Sequence, residues 1–149
     1  MASLDPVRLL EHLHGHLGWL AAAALAHPAI LLRKRTRRAP VSVALAVAFV
    51  TVVGALGVAI YGPYRDQLRQ SIFIRAPGTG WLFERKEHLA FGAIALAWAG
   101  ALAYFAARGV DTDAALPLRT FAFRAFVIAC ALAIVTAALG TYVAVYRTF

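Results

Sequence analysis

"VSVALAVAFVTVVGALGVAIY", Val41–Tyr61, carries no Asp, Glu, Lys or Arg. A hydrocarbon core takes roughly 20 predominantly apolar residues to cross, so this stretch reads as a membrane-spanning helix. Working outward from it, three more stretches have the same reach: Leu9–Leu32, Leu89–Ala107 and Ala125–Tyr146, the last two again without a charge. The whole chain is 62% hydrophobic and only 15% charged, with a mean hydropathy of +0.71, far too apolar for an ordinary soluble domain. The expected fold is therefore all-α: one domain over residues 1–149, a four-transmembrane-helix up-and-down bundle. Strands are not expected, because backbone groups in lipid must be satisfied within each helix. The connections 33–40, 62–88 and 108–124 leave no length for a separate soluble domain. Gly54, Gly57, Gly92, Gly100 and Gly140 lie in the spans, where small residues let helices approach closely.

The net charge of +8 lies at the ends of the spans and not on an independent basic face, which argues against nucleic acid as a partner and for a topology signal. "RKRTRR", Arg33–Arg38, follows the first span directly, and positive charge in a short loop marks the cytoplasmic side. Both termini are then expected outside. The segment 62–88 falls on that outer side although it carries Arg65, Arg69, Arg75, Arg85 and Lys86, only partly offset by Asp66, Glu84 and Glu87. Within it "APGTGW", Ala76–Trp81, reads as a turn and Ser71–Arg75 as a short interfacial helix. Trp81, Tyr61, Tyr64, Tyr142 and Tyr146 read as an aromatic belt. The single cysteine, Cys130, lies mid-span and reads as a small packing residue. A cleaved signal peptide is the other reading of the first span. Glu11 and three histidines, however, stand where a signal has its positive region, and three more spans follow.

Four of the five histidines lie in the first span, and an imidazole in a membrane needs a partner. At 100° per residue His12, His16, Trp19, Ala23 and His27 share a stripe about 80° wide, which reads as a buried seam, while His14 points to the opposite side. His16 and His27 stand roughly 16 Å apart along the axis, too far for one metal ion. His27 precedes Pro28, whose missing N–H frees a carbonyl one turn back, so a structural role is favoured there. His88 opens the third span, and the crossing pattern brings it to the membrane surface that carries His12, His14 and His16.

Three chemistries use that convergence. One is a haem b held between His88 and a first-helix histidine, with its propionates neutralised by Arg65, Arg69, Arg75 and Arg85 together with Tyr61 and Tyr64. A second is a non-haem zinc, iron or copper site drawn from Glu11, His12, His14, His16, Glu84, Glu87 and His88. In the third no metal is held, and the side chains bind a quinone or lipid head group or pack against partner subunits.

"LHGHLGWL", Leu13–Leu20, and "ERKEHLAFGAIALAWAGALAY", Glu84–Tyr104, resemble small four-helix bacterial membrane proteins of cytochrome b-like type. The resemblance rests on Leu13-His14 with Trp19 five residues on, a second span ending in Ile60-Tyr61, and Glu87-His88 opening the third. Gly18 stands where that pattern has an arginine, and the second span has no histidine. What the resemblance implies is a haem b ligated by His14 and His88 in a multi-pass protein of the bacterial inner (plasma) membrane. It also implies an electron-transfer or accessory subunit, working with a redox partner or other membrane subunits, more than an independent enzyme. Motif spacing favours His14 as the first-helix ligand, and the stripe containing His27 favours His16.

Overall fold

A computed structural model describes residues 6–34, 39–110 and 112–145. The described chain is built of helices: α1 (Pro6–Leu32), α2 (Pro40–Tyr64), α3 (Gln70–Arg75), α4 (Pro77–Ala106) and α5 (Thr112–Val145). A π-helical turn, Arg65–Arg69, joins α2 to α3, and a 3-10 turn, Ala107–Gly109, follows α4. Among the described residues four helical stretches are long and apolar enough to cross a membrane: Val7–Leu32, Pro40–Arg75, Pro77–Gly109 and Asp113–Val145. Tyr146, Arg147–Phe149 and most of the Arg33–Arg38 run lie outside the described residues.

The segment expected to be a loop is helical almost throughout. Its one break falls at Ala76 (φ −145°, ψ 74°), because a residue before proline is pushed out of the α region, and Pro77 then opens α4. Helix α5 likewise starts at Thr112, well before the apolar run at Ala125, and buries Ala115 and Ala122 completely. Packing of alanines, not hydropathy, sets that boundary.

The long helices pack in the ring α1–α2–α4–α5–α1, each antiparallel to its neighbours, with α4–α5 the most extensive contact and α2–α4 the least. Helices α1 and α4 therefore stand diagonally across the bundle. The centre is filled by Leu25, Val43, Ala97, Phe126 and Ala129, all fully buried. Cys130 sits half-buried with its Sγ 3.5 Å from the Ala22 carbonyl oxygen, a packing position between α5 and α1.

Two expectations fail here. The stripe of His12, His16, Trp19, Ala23 and His27 is exposed, not buried. The inward face of α1 is Ala21, Leu25, Pro28 and Leu32, and His14 and Gly18 fall on the same stripe at helical spacing. Leucine and alanine fill an interior without needing partners, while flank imidazoles can reach neighbours: His27 Nδ1 and Ser42 Oγ hydrogen-bond at 2.8 Å. Nor does Tyr64 belong to a belt. It is 1% exposed and stacks on Phe83, ring centroids 3.7 Å apart, in a second cluster with Ile72 and Val143. Of the other belt residues Trp81 and Tyr142 are exposed and Tyr61 is half-buried.

At the far end the Ala39 N–H donates to the buried Tyr104 hydroxyl at 2.7 Å, fastening the start of α2 to the end of α4. Tyr104→Phe is expected to strip that buried donor of its acceptor, at a cost of about 1–3 kcal/mol. A lowered midpoint in thermal unfolding of the detergent-solubilised protein checks this.

Candidate functional site

Where α1 and α4 begin and α2 and α5 end, the four long helices line a half-open cavity of about 390 Å³. Its size falls in the range of small-molecule and cofactor pockets, roughly 300–1,000 Å³. The inner wall is apolar, made by Val50, Val53, Ala93, Ile94 and Ala133. Toward the bundle end the lining turns polar, with Glu11, His12, His14 and His16 from α1, Lys86 from α4, and Thr136 and Thr141 from α5.

His14 is the one histidine of the five that is not exposed. Gly57 makes room for it: a Cβ there would meet His14 Cε1 at 3.0 Å and Nε2 at 3.4 Å, so the hydrogen of glycine lets the ring lie against α2. Gly54, one turn back, does the same for Ile94, which would lie 2.5 Å from a Cβ. The side of the cavity between α1 and α5 is bridged by the Trp19 indole N–H, which donates to Thr141 Oγ1 at 3.3 Å. Thr141 in turn donates to the Ala137 carbonyl at 3.0 Å. Thr136 Oγ1 is buried and has no hydrogen-bond partner among the described residues.

His88 is placed elsewhere. It is exposed, absent from the cavity lining, and its Nδ1–H donates to the Glu84 carbonyl one turn back at 2.8 Å. His14 and His88 are therefore not brought together across the cavity. The reason is angular. Lys86, Ala90, Ala93 and Ala97 share one stripe of α4, and its alanines line the cavity or fill the core, whereas His88 lies about 200° around from Lys86.

The arginines of the middle segment also lie off the cavity. Arg69 pairs with Glu84 at 2.8 Å and stands over the Phe73 ring at 5.2 Å, Arg65 pairs with its neighbour Asp66 at 3.4 Å, and Arg75 and Arg85 are exposed. Tyr61 packs toward Tyr64, ring centroids 6.1 Å apart. Glu84 and Glu87 are half-buried on α4 outside the cavity lining. Among the described residues no group of three or more His, Cys, Asp or Glu side chains is gathered closely enough to hold a metal ion.

Lys86 and Thr136 are the residues that sequence reasoning passed over. From sequence alone Lys86 reads only as a charge in a loop. With that stretch read as the start of α4, its four-residue and seven-residue spacing to Ala90 and Ala93 would have placed it on the inner stripe. Its ammonium stands 4.4 Å from the Phe83 ring centroid, and a Cβ on Gly140 would lie 3.7 Å from Nζ, an ordinary contact that places the lysine tip against α5. No family model, curated protein or solved structure matches this chain.

Proposed function

We propose that this chain is an integral membrane subunit that holds a b-type haem in the four-helix cavity through His14 and relays electrons to a redox partner or to other subunits of a larger membrane assembly. The observation that supports it most directly is the placement of His14: the least exposed imidazole of the chain, seated against Gly57 at the wall of a cofactor-sized cavity. The residues present would offer a haem one imidazole, an apolar surround from Val50, Val53 and Ile94, and a polar end for its carboxylates. His88, exposed and outside the lining, would not hold it. Bound haem would contribute one-electron redox chemistry, while the protein contributes ligation and low polarity, and with them the potential. His14 presents the imidazole, Gly57 holds its ring against α2, and the apolar wall keeps water from the inner half of the cavity. A cytoplasmic Arg33–Arg38 loop would put the cavity near the extracytoplasmic surface of a bacterial inner membrane.

The test is a visible spectrum of the chain purified in mild detergent from haem-replete cells. A Soret band that shifts on reduction, at about one haem per chain, is the expected result. A colourless preparation that takes up no added haem would reject the reading.

A further inference from the structure

Lys86 is the only lysine or arginine among the described residues that line the cavity. It sits half-buried on the inner stripe of α4, in the charged run 84–87 that precedes the apolar stretch. Its long stem lets the ammonium lie at the polar end of the cavity, over Phe83 and beside Gly140, with the apolar wall of Val50, Val53 and Ile94 deeper in. The buried Thr136 hydroxyl adds a donor from α5. Glu11, the one acidic side chain among the described residues of the lining, stands on α1.

We propose that Lys86 binds a carboxylate carried on an apolar body within this cavity. That carboxylate is a haem propionate if the reading of His14 holds, or the head of a fatty acid drawn from the bilayer; only the haem form rests on that reading. An ammonium–carboxylate contact in a partly desolvated site is a charge-assisted hydrogen bond, and its loss reads out as about a tenfold to hundredfold weakening.

The experiment compares each acid with its ester, using the full chain in detergent micelles. Haem b and its dimethyl ester are titrated into wild type, Lys86→Gln, Lys86→Arg and the off-cavity control Arg69→Gln. In parallel, a chain-brominated fatty acid and its methyl ester are tested for quenching of Trp19, in a background carrying Trp81→Phe and Trp98→Phe. Wild type is expected to prefer the acid about tenfold or more in at least one pair, Lys86→Gln to erase that preference, and Lys86→Arg and Arg69→Gln to keep it. Preference in the haem pair supports both Lys86 and the haem reading. Preference in the fatty-acid pair with no haem uptake supports Lys86 and rejects haem. Equal binding of acid and ester by wild type in both pairs overturns the Lys86 proposal and leaves the haem reading to stand on its own uptake. Absence of binding in every arm overturns both. Because the acid–ester comparison is made on wild type, it decides the matter even if Lys86→Gln fails to fold.

Discussion

Gly100→Leu is expected to be strongly destabilising although it touches no cavity residue. A Cβ at Gly100 would already meet Ala125 Cβ at 3.1 Å and the Phe126 ring at 3.2 Å. Phe126 is fully buried and Ala125 nearly so, so neither can retreat without opening the α4–α5 contact, the most extensive in the fold. Leucine adds a branched side chain where even a methyl is crowded. Overpacking of this kind costs roughly 1–3 kcal/mol or more. In the proposed membrane setting lipid would offer helices no hydrophobic reward for associating, so close packing would be what holds α4 to α5. About 3 kcal/mol corresponds to a fall of roughly 6–12 °C in the unfolding midpoint of a chain this long. Gly62→Leu is the matched control, since nothing lies within 4 Å of a Cβ at that position, and it should melt with wild type. Indistinguishable melting of Gly100→Leu and wild type in the same detergent would show that the α4–α5 seam is not packed as described.

The long helices were legible because hydropathy and length speak directly to them: an uncharged run such as Val41–Tyr61 has few alternatives to a helix. Helix ends were less legible, because apolarity reports on the solvent around a segment and not on its backbone. Helix α4 continues outward from Leu89 to Pro77 through Glu84, Arg85, Lys86 and Glu87, all good helix formers, and only the proline stops it. That single misreading hid three others. It concealed the arrival of Phe83 against Tyr64, it kept Lys86 in a loop, and it left His88 without the helical neighbours that show which way it points. The facing of α1 failed for a different reason. A helical wheel gives relative angles only, and the histidine stripe competed with a stripe of Ala21, Leu25, Pro28 and Leu32. The interior went to the second, whose side chains have no polar group to satisfy. The seat of His14 depends on Gly57 of another helix, a pairing that no local pattern in α1 could reveal.

His14→Ala is expected to abolish haem uptake, while His16→Ala and His88→Ala leave it within about twofold of wild type. Only His14 among the three has a half-buried ring at the cavity wall; His16 is exposed, and His88 is exposed and turned away on α4. Second-shell changes around a metal already cost about 10–100-fold in affinity, so removal of the ligand itself should exceed that range. Gly57→Leu offers an independent route to the same outcome, since its side chain would occupy the space in which His14 lies, 3.0 Å from Cε1, without altering any ligand. If His14 acts through its imidazole, then adding free imidazole to His14→Ala should restore part of the Soret band, whereas Gly57→Leu, with its cavity wall refilled, should not respond. Unchanged haem in His14→Ala, or loss of haem in His88→Ala with a wild-type melting profile, would move the ligand off the α1 interior and overturn the assignment. The comparison between His14→Ala and Gly57→Leu carries the most weight, because the two variants lie on different helices and share only the contact between an imidazole and a glycine.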